Sequence, residues 1–254
     1  MKRLSLATFI LGAVMVFPSF VGATGVNNGE VSQNQSNVAD TVKAFTVSNG
    51  EINYISTEEY NRITAQSIIE TATANMLTKG NSDDIPVYPS IVSLSTSYKY
   101  NQLSYKSKVA RSDLNRRISV AIRNEGTVSA TRSISYSSTQ TYTSSISFTA
   151  GAQKNAVSAG ITGGKSWEGS YAGNETITQT IPAGKYAWMD YYPYMNYSYG
   201  TFKTDVYSVT DTGATSLVSS SSQNVNIYSA IKSASSPLPD GVYSLKESTS
   251  APTY

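Results

Sequence analysis

From Ser129 to Thr149 every odd-numbered residue is a serine or a threonine, and the positions between them read Ala130, Arg132, Ile134, Tyr136, Ser138, Gln140, Tyr142, Ser144, Ile146, Phe148. A strict period of two specifies an extended strand with two unlike faces, because successive strand side chains point opposite ways and a helix would scatter the hydroxyls round its axis. After the link Gly151–Ala156 the pattern resumes with its parity reversed. Ser158, Gly160, Thr162, Gly164 and Ser166 fall on even positions, and Val157, Ala159, Ile161 and Trp167 on odd ones.

The reversal predicts a hairpin over residues 129–181 whose hydroxyl faces coincide, since opposed residues of a hairpin share a face. That needs odd paired with even, for example Thr149 opposite Ser158, Phe148 opposite Ala159 and Ile146 opposite Ile161. A slip of one residue would mix the faces. Serine and threonine bring little apolar area to bury, so the hydroxyl face cannot build a core. One reading places Tyr142, Ile146, Phe148, Ala150, Val157, Ala159, Ile161 and Trp167 against lipid and Thr143, Ser145, Ser147, Thr149, Ser158 and Thr162 toward a wet lumen, with Tyr142 and Trp167 as an interfacial girdle. The other is a long solvated ribbon on a secreted β-protein.

The chain opens like a secretory signal peptide, cleaved after Ala23. Lys2 and Arg3 precede the apolar run Leu4–Phe17, and Val21-Gly22-Ala23 supplies small residues. Removing those two cations takes the formal charge of +2 to about zero, so nothing in the charge balance points to nucleic acid. No later stretch is apolar for long enough to span a bilayer as a helix. The chain contains neither cysteine nor histidine. Disulfides, Ser-His-Asp and Cys-His triads and the usual zinc sites are therefore excluded, and no metal or cofactor is expected. Glu168, Glu175, Asp190 and Asp205 form no recognisable constellation, so an enzyme is not expected.

Residues 24–41 read as a flexible polar leader. A small α+β head region, residues 42–90, follows, with two strands turning at Ser48-Asn49-Gly50 and one helix. Ser56 and Glu59 cap that helix, Ile55 can staple to Tyr60, and the face Ala65, Ile68, Ile69, Ala72, Met76 is expected to pack on a sheet. Residues 91–232 read as an elongated domain of long twisted antiparallel strands containing the hairpin, and 233–254 as an irregular tail. Tyr186, Trp188, Tyr191, Tyr192, Tyr194, Tyr197, Tyr199 and Phe202 concentrate rings that, but for Phe202, carry a polar tip on an apolar body. They suit a glycan- or protein-binding surface, a bilayer interface, or a strand-packed core. The fold class is mainly β with one helix near the N-terminal end.

The order of parts resembles the aerolysin-like β-pore-forming proteins, the superfamily that includes the epsilon-toxin and mosquitocidal-toxin types. The likeness runs through the strand at Asn124-Glu125-Gly126, the hydroxyl arm from Ser129, the amphipathic stretch Ile146–Ile161, the second arm ending at Thr176–Thr180, and Ile181-Pro182-Ala183-Gly184-Lys185. It implies export as a soluble monomer, homo-oligomerisation on a target membrane, and refolding of a tucked amphipathic segment into a transmembrane hairpin. The alternative is a secreted, non-lytic adhesion module that uses the tyrosine-rich surface.

Overall fold

A computed structural model describes residues 39–77, 93–161, 167–209, 214–231 and 236–253. The expected signal peptide, most of the expected leader and Thr162 lie outside the described residues. β1 (Asp40–Ser48) and β2 (Glu51–Ile55) form the expected hairpin, with Asn49 at φ 53° and Gly50 at φ 86°. Positive φ at both central residues is what a two-residue turn between twisted strands requires, and Asn-Gly supplies it most readily.

Helix α1 (Thr57–Leu77) starts where the cap signal lies, with the Glu59 N–H donating to Ser56 Oγ at 3.1 Å. Its packed face differs from the expected one. Tyr60, Ser67 and Ala74 are buried, while Ile68 and Ile69 are 60% and 61% exposed. Hydrogen bonding decides the rotation: Ser67 Oγ donates to the Ala110 carbonyl at 2.5 Å and accepts from the Ser112 N–H at 2.8 Å, and the Thr64 and Tyr192 hydroxyls lie 3.0 Å apart. Small hydroxyl residues let the helix sit close to the sheet and satisfy groups that isoleucines would leave unpaired.

Then come β3 (Ser93–Ala110), β4 (Arg116–Arg117), β5 (Ile122–Arg123), β6 (Ala130–Gln140), β7 (Thr143–Ser144), α2 (Gly151–Gly160), β8 (Tyr171–Ile181), β9 (Tyr186–Val209), β10 (Thr215–Ala230) and β11 (Gly241–Ser248). The main sheet runs β2-β1-β11-β9-β10-β7, with β3, β4 and β5 also on β9. The 24 residues of β9 carry both halves of this sheet. Tyr186–Pro193 pairs with β11, and Met195–Val209 lies between β3 and β10.

The C-terminal region is not an irregular tail. β11 lies between β1 and β9, and Val242, Tyr243 and Leu245 are buried. Tyr243 stacks on Phe45 at 5.0 Å and meets Tyr191 at 4.7 Å, so strands of the expected head, body and tail share one sheet and one core. The strand's short Val242-Tyr243-Ser244-Leu245 stretch, just after two prolines, hides a core element in a segment that looks like punctuation.

Candidate membrane-insertion segment

β6 and β8 form a separate two-stranded antiparallel ribbon. Thr131 faces Thr180, Ser133 faces Thr178, Ser135 faces Thr176 and Ile134 faces Ile177. Odd pairs with even, as the parity reversal requires. The hydroxyls of Thr131 and Thr180 lie 3.2 Å apart, and those of Ser135 and Thr176 lie 2.9 Å apart, on an exposed face. The opposite face buries Ile134, Tyr136 and Ile181 against Met189, Leu238 and Leu245. The register nevertheless differs from the expected one. Extending the pairing of Thr149 with Ser158 down the arms would set Thr131 opposite Thr176, and Thr180 stands there instead.

The ribbon's end is fastened by polar groups. Arg116 donates to the Thr139 carbonyl, and the buried Gln140 side chain donates to the Tyr194 carbonyl and accepts from the Ile231 N–H at 3.2 Å. The chain then leaves the ribbon. β7 pairs briefly with β10, the Ser145 N–H donates to the Asn226 carbonyl at 2.9 Å, and the Asn226 N–H donates to Ser145 Oγ at 3.0 Å.

Between these anchors and β8 the expected extended hairpin is absent, since residues 151–160 form α2. Among the described residues Thr149 is not strand-paired with Ser158, nor Phe148 with Ala159, nor Ile146 with Ile161. Alanines at 152, 156 and 159 favour helix, and Gln153 Oε1 accepts from the Thr149 and Ala150 N–H groups at 2.9 and 3.1 Å, closing the helix start. Val157 is the buried residue of α2.

The structure gathers Tyr142, Ile146, Phe148, Val157, Ile161 and Trp167 into one cluster on the face of the long sheet, against Tyr100, Phe202, Val225 and Ile227. Phe148 meets Trp167 and Phe202 edge-on at 5.4 and 5.1 Å. Ala150 is half-buried and Ala159 is exposed on α2, both outside this cluster. Ser145, Ser147 and Thr149 face solvent, Thr143 and Ser158 are half-buried, and Ser158 Oγ donates to the Lys154 carbonyl at 3.0 Å. The Trp167 indole donates to the same carbonyl at 3.3 Å. Lys154 Nζ pairs with Glu168 at 2.8 Å, and this hydrogen bond raises the lysine above its ordinary range. Gly160 leaves no room for a side chain, because a Cβ there would lie 2.1 Å from the Tyr100 carbonyl oxygen.

The aromatic surface expected over residues 186–199 is divided between core and half-buried positions. Trp188, Tyr191 and Tyr192 are 5%, 0% and 1% exposed, because this part of β9 is covered on both faces. Tyr191 donates to the Asp240 carbonyl at 3.1 Å, and burial pushes the Tyr192 hydroxyl well up. Tyr186, Tyr194, Tyr197 and Tyr199 are half-buried. The buried rings of Trp188, Tyr191 and Tyr192 cannot contact a glycan, so of the seven expected surface residues Tyr186, Tyr194, Tyr197 and Tyr199 reach solvent. Of the carboxylates, Glu168 pairs with Lys154, Asp205 pairs with Lys203 at 2.9 Å, and burial raises Asp190. Among the described residues no group of three or more acidic side chains could hold a metal ion, and no helix is long and apolar enough to cross a membrane.

No family model matches the chain, and no curated protein matches it in sequence. Among solved structures it is similar to parasporin-2, a Bacillus thuringiensis toxin that recognizes cancer cells, at 11% identity and TM-score 0.23, over 76% of this chain and 92% of the other. It is similar to a chain of the Cry23Aa1 and Cry37Aa1 binary protein complex at 8% identity and TM-score 0.20, over 72% and 83%. It is also similar to a non-toxic crystal protein from Bacillus thuringiensis at 14% identity and TM-score 0.16, over 74% and 91%. Overlaps this loose carry no argument about function, which has to come from the chain's own geometry.

Proposed function

We propose that this chain is a secreted β-pore-forming protein in which residues 141–170 leave the sheet and lengthen the β6–β8 ribbon into a transmembrane hairpin, closed into a barrel by copies of itself. The observation that carries the reading is the ribbon's register. Continued beyond Gln140 and Tyr171 it sets Ala150 opposite Ile161, Ala152 opposite Ala159 and Lys154 opposite Val157, and closes on the two residues Asn155-Ala156. Two-residue loops are the commonest hairpin connections, and asparagine suits their first position. On one face every residue is then a hydroxyl, a glycine or another polar side chain, apart from Ala172 opposite Thr139. The other face gathers Tyr142, Ile146, Phe148, Ala150, Val157, Ile161 and Trp167, interrupted by Ser144 and Lys165 and ending at Lys154 beside the turn.

The extension requires α2 to unwind and the aromatic cluster to come off the sheet. At about 25 cal/mol per Å2 the apolar tip gains only a few kcal/mol from lipid. Unpaired backbone groups in a bilayer cost several kcal/mol each, so one hairpin cannot insert alone and closure into a ring is obligatory.

A cysteine pair tests the refolding directly, since the native chain has no thiol. With Ala152→Cys and Ala159→Cys in α2, seven residues of rise separate the two Cα atoms by about 10 Å, beyond disulfide reach of about 4.4–6.8 Å. In the hairpin they are opposed at about 4.5–5.5 Å. The disulfide is expected only after exposure to target membranes, together with dye release that Phe148→Asp abolishes. A disulfide that forms equally without membranes, or dye release from the Phe148→Asp chain, overturns the reading.

A further inference from the structure

The outward Ile69 of α1 borders a feature the pore reading does not use. An open cavity of about 300 Å3 lies between α1 and the sheet, bounded by Ile69 and Glu70 of the helix, Lys106 and Val109 of β3, Tyr197 of β9 and Tyr228 of β10. Its size is at the lower end of small-ligand sites, and its walls are apolar except for a few convergent polar groups.

Those polar groups are ordered by depth. The Glu70 side chain is 21% exposed and the Lys106 side chain that pairs with it is 56% exposed, so the carboxylate is the more covered of the two charges. Burial would raise the Glu70 carboxyl, but hydrogen bonds from Lys106 and Gln66 outweigh it and hold the group below the usual range, keeping it ionised. The two tyrosine rings are 5.0 Å apart, and Tyr197 is fixed by its hydroxyl donating to Asn226 at 2.8 Å. Tyr228 already attracts one cation, the Arg111 guanidinium 3.9 Å from its ring centre. Tyr228 is buried and its ring is taken by Arg111, so the ring open to a second cation beside Glu70 is that of the half-buried Tyr197.

A simple cation would displace Lys106 and leave it without a counter-charge, and a simple anion would face Glu70. A zwitterion satisfies both. We propose that this cavity docks the headgroup of a zwitterionic phospholipid at a bilayer surface, its ammonium against Glu70 and the Tyr197 ring and its phosphate on Lys106. In a bilayer the ammonium lies outermost, then the phosphate, then the acyl boundary. On the protein the carboxylate is the most covered group, the lysine the more exposed one, and the outward Ile69 of the lining the most exposed apolar group, the same order. Opening the Glu70–Lys106 pair costs little, because an exposed ion pair is weak. The inference deepens the pore reading by naming the surface that the soluble form meets, and it rests on that reading for the membrane being the target.

The test is co-sedimentation of the full chain, without its leader, with phosphatidylcholine vesicles. Glu70→Gln and Lys106→Gln are each expected to weaken binding about tenfold, the scale of one lost charge-assisted contact. Thr73→Trp, an exposed change at the mouth, is expected to block binding without touching the core, and free phosphocholine to compete. Binding that ignores all three substitutions, a preference for phosphatidylglycerol vesicles, or binding of free phosphocholine but of no vesicle overturns the proposal. Docking that persists while the cysteine pair at 152 and 159 never closes would sink the pore reading alone. Cross-linking and dye release on phosphatidylcholine that ignore Glu70→Gln would sink the docking site alone.

Discussion

The β6–β8 arms and the segment they carry share one alternating pattern and fold differently. In β6 the even-numbered side chains from Ile134 to Gln140 are all buried, and the strand is paired along its length with β8. In the segment Ile146 and Phe148 also turn inward while Ser145, Ser147 and Thr149 turn outward, yet the backbone has only the short β7 contact before coiling into α2. The difference teaches that alternation specifies which side chains go in, whereas a paired edge specifies that the chain is a strand. Beyond its brief backbone contact with β10, such a stretch is held by side chains.

Two glycines offer the strongest way to break this contrast. A Cβ on Gly173 would lie 1.6 Å from the Pro237 carbonyl oxygen, so Gly173→Val should unseat the ribbon and cost the whole fold on the order of 4 kcal/mol, read from the urea midpoint. Gly160→Val should instead lift α2 locally, at about 1–3 kcal/mol. Hydrogen exchange should then show residues 151–161 losing protection while β9 and β11 keep theirs. Global unfolding by Gly160→Val would mean the segment is integral to the core.

Truncations sharpen the same contrast. Ile134→Ala should cost about 2–5 kcal/mol of global stability, and Val157→Ala about 1–2 kcal/mol confined to opening of the segment. Exchange protection separates the two, and equal global losses would erase the distinction.

The smallest effect concerns Lys154 and Glu168. The lysine's value is raised in the folded chain above its ordinary 10.5. The pair's contribution is therefore complete below that range and is lost as pH climbs through the raised value. Trp167 emission should shift over this alkaline interval, and Lys154→Gln should flatten the shift. An unchanged titration in the variant would remove the ion pair from the account.

Much of this was legible in residue order. The Asn49-Gly50 turn, the Ser56 cap and the odd-with-even pairing are local or parity rules, and each holds. The four-residue displacement of the register was not legible, because parity fixes faces and leaves the loop length open. The buried face of α1 was hidden because serine and threonine, not isoleucine, make its contacts. β11 was hidden because its partners β1 and β9 are remote in the chain, and the burial of Trp188, Tyr191 and Tyr192 depends on those same remote neighbours. α2 was missed because its alanines fit either conformation and Gln153 tips the balance.

The stem formed by β6 and β8 has a kinetic consequence. Starting a hairpin is slow because the loop must close before any contact rewards it, and hairpins form from scratch in about 1–10 μs. In the proposed refolding Gln140 and Tyr171, which flank the stretch, are already paired, so growth toward Asn155 would proceed by successive closure from a finished base. Under that scheme the rate of channel appearance would follow how often copies meet, and its steep dependence on protein concentration would be the signature.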